Sequence, residues 1–317
     1  MITLHGVDFT SAPRPRKPIT VASARWSAGD SGTAANIAPE TAAITAANSP
    51  TITVANSAAS TAVGTAAEPC RLRITRIETL PTLEAFEAWL AQPGPWLAAF
   101  DFPFSFARDF IAAQGWPVDG AEPWPAVMQA VAALDRPALI ARCRAWCDAR
   151  PPGSKFAHRA CDAGAGSSPS MKWVNPPVAL MLHAGATRLV AAGVTVPGLR
   201  ETDTDPQRIA LEGYPGLLAR RVLGRASYKS DDPARRGDPA RREARAQLID
   251  ALETGALMPG LTVDLGAARS TCLDDDSADR LDAVLCLVQA AWAAHQGPPL
   301  YGLPQRKDRV EGWIVGA

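Results

Sequence analysis

The 317-residue chain has no excess of charge of either sign: Lys and Arg number 32, Asp and Glu 32, for a formal net charge of zero. That balance excludes the strongly basic field of a protein that coats nucleic acid, so any polyanion must be met locally. Lysine is scarce. Lys17, Lys155, Lys172, Lys229 and Lys307 are the only ones, and arginine carries nearly all the positive charge, a bias that suits bidentate phosphate contact or reflects base composition alone. Long apolar runs are missing too. The longest, Ala283 to Ala294, is too short to span a bilayer and follows directly on Asp279, Arg280 and Asp282. The N-terminus has neither a charged leader followed by an apolar run nor a small-residue cleavage site, which predicts a cytoplasmic protein with no membrane association. Six cysteines are scattered without a dense framework, as expected of reduced thiols. Cys143, Cys147, His158 and Cys161 offer ligand types for zinc, but the first pair lies on a predicted helix with Trp146 and the short knuckle spacing is absent, so buried thiols are expected.

What is present is enough apolar material for a large core: 47% of residues are hydrophobic and 20% charged, read as one domain over residues 1–317. Residues 2–9 and 17–26 read as strands joined by a Pro-rich turn, hence an N-terminal hairpin. Residues 27–69 are mostly Ala, Thr, Ser and Asn, with no aromatic, no Lys or Arg, and only Asp30, Glu40 and Glu68 charged. Such a stretch has little apolar surface to repay ordering entropy and is expected to be a flexible insertion. From Cys70 to Leu80, Leu72, Ile74 and Ile77 interleave with Arg71, Arg73 and Arg76, a third strand with one polar face, and a helix follows to Leu90. Trp96 to Phe100 is a short, wholly apolar run ended by Asp101 and soon by Pro103, the pattern of a buried central strand that delivers a carboxylate to its edge. Residues 105–196 read as a mostly helical inserted cap, broken by a Gly/Ser/Pro-rich loop from Pro151 to Ser170. The chain returns to strand at Arg208–Glu212, turns at Gly213-Tyr-Pro215, and ends in helices at Pro239–Glu253 and Asp279–His295.

Asp8, Asp101 and Glu212 each stand in or at the end of an apolar strand, where an unpaired charge is costly. Asp279 and Asp282, spaced i, i+3, share one face of the last helix just before its apolar run. Carboxylates converging from several elements are hard ligands, and the natural counter-charge is Mg²⁺ or Mn²⁺. The bland readings are sheet-edge salt bridges for Asp8 and Asp101, helix-dipole complements for Asp279 and Asp282, and a helix cap for Glu212. His158-Arg159 and Asp162 sit in the Gly-rich loop, where either a substrate-facing role or an ordinary solvated loop fits.

The set Gly6-Val-Asp8-Phe-Thr10-Ser, Phe100-Asp101-Phe-Pro103, Glu212-Gly-Tyr-Pro215 and Asp279-Arg-Leu-Asp282-Ala resembles domain-of-unknown-function family 429, whose members are predicted nucleases of the ribonuclease H-like fold. The resemblance implies an α/β architecture: a mixed five-stranded sheet flanked by helices, its first three strands antiparallel, with metal-binding carboxylates on the first strand, the fourth strand and the last helix. Asp8, Asp101, Asp279 and Asp282 match those stations, with Glu212 on the fifth strand as a further catalytic carboxylate. It also implies phosphodiester hydrolysis of a nucleic acid or nucleotide by a two-metal mechanism, Mg²⁺ or Mn²⁺ being the cofactor. Lys229 or Arg159 would steady the scissile phosphate, and Thr10, Arg159 and Asp162 would contact substrate. Two other functions compete: an actin- or sugar-kinase-like phosphotransferase, against which stands the lack of a Gly-x-Gly run near Glu212 or Asp282, and a catalytically inactive binding scaffold, whose signature would be missing carboxylates.

Overall fold

A computed structural model describes residues 1–27, 70–202, 205–305 and 308–317. Residues 28–69, nearly all of the expected insertion, lie outside the described residues. The architecture is a mixed α/β fold: one six-stranded sheet, flanked by helices on both faces.

Strand β1 (Ile2–Asp8) pairs antiparallel with β2 (Ile19–Trp26), and β2 pairs antiparallel with β3 (Cys70–Leu80). On its other edge β1 runs parallel to β4 (Trp96–Phe100), and β4 parallel to β5 (Arg208–Glu212). All five residues of β4 are buried, as a strand covered on both faces requires. The sheet has one strand more than the five expected. Strand β6 (Leu261–Asp264) lies parallel to β3, so the order is β5-β4-β1-β2-β3-β6. Its alternation covers only four residues, Leu261 and Val263 buried and Thr262 and Asp264 partly exposed, which is too brief for periodicity to register.

Successive strand residues feed two cores. Leu4, Ala22, Ala24, Leu72, Leu97, Ala99 and Leu211 face one side with α7 (Pro215–Leu223), α8 (Pro239–Thr254), α9 (Ala268–Asp274) and α10 (Asp279–Gln296). Val7, Val21, Ala98, Phe100 and Ala210 face the other, against α1 (Leu83–Leu90), α2 (Arg108–Ala113), α3 (Pro123–Ala132), α4 (Arg136–Asp148) and α6 (Val178–Ala192). This second core is aromatic, with Phe100 meeting Phe86, Phe102, Phe104 and Trp89 at centroid distances of 5.5–6.3 Å.

Local chemistry starts the helices where the chain needs them. Thr82 caps α1 by accepting from Ala85 N at 3.1 Å, Asp135 caps α4 by accepting from Ala138 N at 2.7 Å, and α7 opens on Pro215. The stretch between β4 and β5 carries α2 to α6, including α5 (Ala160–Ala165) within the segment read as a loop. Among the described residues no helix is long and apolar enough to cross a membrane. All six cysteines are buried, and none forms a disulfide among the described residues.

The final segment is tied back to the sheet edge. Val315 N donates to the carbonyl of Glu212 at 2.9 Å, and Glu311 accepts from Arg108 N at 2.7 Å and Ala160 N at 3.0 Å.

Candidate metal centre

Three carboxylates meet at the carboxyl edge of the central strands. Asp8 ends β1, Asp101 follows β4 with its N–H donating to the Val7 carbonyl at 2.9 Å, and Asp282 lies in the first turn of α10. One oxygen from each lies within 4.8 Å of the other two, so the trio can hold a metal ion.

The close approach of α10 to β1 makes this possible, and Gly6 is its cause. A Cβ at position 6 would stand 2.0 Å from Leu287 N and 2.1 Å from the Ala283 carbonyl oxygen. Only a residue without a side chain lets the helix backbone rest on the strand. Ala278, at φ 57°, turns the chain into α10, and Asp282 N then donates to the Ala278 carbonyl at 2.8 Å.

The electrostatics are those of an under-compensated anionic cluster. Burial pushes the Asp8 carboxyl well above its ordinary range, and the charges of Asp282, Asp279 and Asp101 push it further while Lys229 opposes them. Asp101 is raised to about 7, first by burial and then by Asp282 and Glu212, again against Lys229. Asp282, fully buried, is held by two neighbours in the loop after α7: Tyr228 Oη donates to Oδ1 at 2.5 Å and Lys229 Nζ bonds Oδ2. Removal from water works against the Lys229 ammonium, but Asp282 and the other carboxylates around it hold its pKa well above the ordinary value. Once all three are ionised, one ammonium facing them leaves net negative charge, and this oxygen-only donor set fits a hard divalent cation.

The remaining expected site residues fall outside this cage. Asp279 opens α10 and lines the same cleft, but is not among the three converging carboxylates. Glu212 is not a free catalytic carboxylate. It is buried, accepts from Phe104 N at 2.9 Å, and pairs with Arg159 through Nη1–Oε2 at 2.7 Å and Nη2–Oε1 at 2.6 Å. Nor is Arg159 a phosphate ligand: Nε and Nη2 reach Asp162 Oδ1 at 3.1 and 3.0 Å, and Nη1 also meets the Glu311 carbonyl at 3.4 Å. Every guanidinium nitrogen is thus engaged within the protein. Asp162 is likewise consumed, accepting from Arg159 N at 2.8 Å and Ser167 Oγ at 2.9 Å as the first turn of α5 forms. The expected substrate contacts of Arg159 and Asp162 therefore give way to a buried structural ion network. Burial raises the Glu212 carboxyl and the Arg159 charge opposes it.

The cage opens into a cleft of about 880 Å³. Thr10, Tyr214, Arg220 and Arg225 line it, as does Lys17, which the sequence did not single out. Tyr228 was also missed, although its place beside Lys229 is a signal in retrospect: a tyrosine and a lysine together in a polar loop can grip one carboxylate from two sides.

Among proteins of known kind, no curated protein and no solved structure matches the chain. A family model does, over residues 6–306, and it is described as "Protein of unknown function (DUF429)". With a match that takes in strands β2 to β6, the last helix and all three cage carboxylates, the chain belongs to the DUF429 family.

Proposed function

We propose that the protein is a metal-dependent nuclease of ribonuclease H-like fold. The observation that carries this reading is the convergence of Asp8, Asp101 and Asp282 from the first strand, the fourth strand and the last helix. Those are the stations at which that fold holds its metal-binding carboxylates. The antiparallel β1-β2-β3 unit beside parallel β4 and β5 agrees with it, with β6 as an added edge strand.

Asp8, Asp101 and Asp282 would hold Mg²⁺ or Mn²⁺. When bound, such ions acidify a water and neutralise charge on a phosphodiester. The chain's own residues supply position and charge. Tyr228 fixes the rotamer of Asp282 through Oδ1. Lys229, whose side chain is 44% exposed, brings its ammonium to the mouth of the cage, where the donors not used on Asp282 would meet a phosphate. Asp279, at the cleft wall and partly shielded by Lys17, would orient water rather than bind metal directly. Glu212 holds Arg159 and the C-terminal segment in place instead of taking part in the chemistry.

The test is cleavage of labelled DNA, RNA, hybrid and branched substrates with Mg²⁺ or Mn²⁺. Asp8→Asn is expected to lower turnover at least about a hundredfold while leaving the circular dichroism spectrum unchanged, given the size of electrostatic contributions to catalysis. Equal turnover in the variant would remove the nuclease reading.

A further inference from the structure

Four arginines that follow α7 in the chain are neutralised at home. Arg235 pairs with Asp232, Arg241 with Asp238, Arg242 with Asp274 and Arg245 with Asp276. Two arginines that line the cleft are not. Arg225 is exposed and has no ion-pair partner among the described residues. Arg220 donates through Nη1 to Tyr214 Oη at 3.3 Å and through Nη2 to the Ala165 carbonyl, with no carboxylate partner among the described residues. Their positive charge is left facing the cleft.

Tyr214 lines the same cleft as these arginines and the cage carboxylates Asp8 and Asp101. Tyr214 follows Glu212 and Gly213 at the end of β5, and Gly213 N donates to the Phe100 carbonyl at 2.8 Å, so Tyr214 leaves the same sheet edge that presents Asp101. The ring is held from several sides. A Cβ on Gly216 would lie 2.8 Å from Tyr214 Cζ, the Arg220 guanidinium carbon is 5.2 Å from the ring centroid, and Tyr214 N donates to Gln289 Oε1 at 2.8 Å. A ring fixed in this way costs little entropy to stack upon. Pro176, Pro177, Val178 and Met181 add apolar lining to the cleft. The volume, about 880 Å³, lies in the range of pockets that enclose a small molecule. Zero net charge removes the broad field that draws a duplex from a distance.

We infer that the cleft takes nucleic acid as a single strand, with an unpaired base stacked on Tyr214 and a neighbouring phosphate held by Arg220 and Arg225. This rests on the nuclease reading and specifies its substrate class. Aromatic stacking accepts any base and cationic contacts accept any backbone, so recognition is of strandedness rather than sequence.

The experiment measures anisotropy of one labelled sequence, as single strand and as duplex, with Asp8→Asn protein in Mg²⁺, beside cleavage of both by the wild type in Mn²⁺. The single strand is expected to bind at least about tenfold tighter than the duplex, consistent with one stacked base. Tyr214→Ala should lose about tenfold in single-strand affinity and Tyr214→Phe should retain most of it. Arg225→Gln, a change at an exposed position, should weaken binding and lower the salt slope by about one. Equal binding and cleavage of the duplex, or full affinity in both Tyr214→Ala and Arg225→Gln, overturns this inference and leaves the nuclease reading standing. Failure to bind or cut any nucleic acid overturns that reading, and the inference with it. Cleavage of free nucleotides alone overturns the strand assignment.

Discussion

At the scale of single residues, the structure separates two kinds of buried acid that look alike in sequence. Glu212 and Asp162 share Arg159, while Asp8, Asp101 and Asp282 share only Lys229 among the described residues. The first group is compensated. Arg159→Met should therefore destabilise by about 3–5 kcal/mol, because it strands two buried carboxylates, and urea denaturation would measure it. Arg159→Lys should recover only part of this, since an ammonium cannot bridge both acids through paired hydrogen bonds. A loss below about 1 kcal/mol in Arg159→Met would mean the network is dispensable. The second group should respond to metal and pH together. Because the Asp101 carboxyl is raised from 3.8 to about 7, the folded state keeps a proton that the unfolded state has lost between those values. Without metal, stability contributed by this group is present below pH 3.8 and declines as pH rises through 7. A divalent ion binds the ionised form, so Mn²⁺ should raise the melting temperature by several degrees at pH 8 and by much less at pH 5. An equal rise at both pH values would place Mn²⁺ elsewhere. The pairing of Arg159 with Glu212, 53 residues away, had no trace in the sequence: Arg159 reads as a phosphate contact and Glu212 as a catalytic carboxylate or a helix cap, because a buried pair and an exposed pair have the same letters.

Elements differ in how plainly they announce themselves. β1, β3, β4, β5 and α10 were legible because each carries a long enough apolar pattern with a clear stop, and a carboxylate at an apolar strand's end marked Asp8 and Asp101. β6, α2, α5 and α9 were not, since four to seven residues cover too few periods to rise above loop composition. The contact between α10 and β1 was also hidden, because a glycine states what is missing and not what comes near. Gly6→Ala tests it. With helix backbone 2.0 Å from the added carbon, neither side can yield by a side-chain rotation, so the expected cost is about 3 kcal/mol or more. The helix must lift, so Mn²⁺ binding, read by calorimetry, should weaken at least tenfold by an estimate of about 1.4 kcal/mol per decade. Unaltered Mn²⁺ affinity would show that Asp282 does not depend on this contact.

For the molecule as a whole, two cores back a single sheet, and the last residues close its β5 edge. Val310, Ile314 and Val315 are each at most 1% exposed, and Glu311 satisfies the backbone N–H groups of Arg108 and Ala160. Burying three such side chains contributes about 5 kcal/mol, comparable with the whole net stability of a typical domain. A chain ending at Arg309 is accordingly expected to lose cooperative unfolding, as followed by circular dichroism against temperature. A sharp transition within a few degrees of the full chain's would show that this segment is an accessory. Its last turns are short and rich in glycine, so their importance was not visible before the edge they cover was known.

The meeting of Gly6 with α10 also determines what the cage tolerates. Main chain touching main chain has no rotamers to exchange, so the gap between Asp8 and Asp282 is fixed the way a hinge pin fixes two plates. Hydrophobic residues deeper in either core can swap sizes and be absorbed by their neighbours, while the ion-sized opening above them keeps its dimensions.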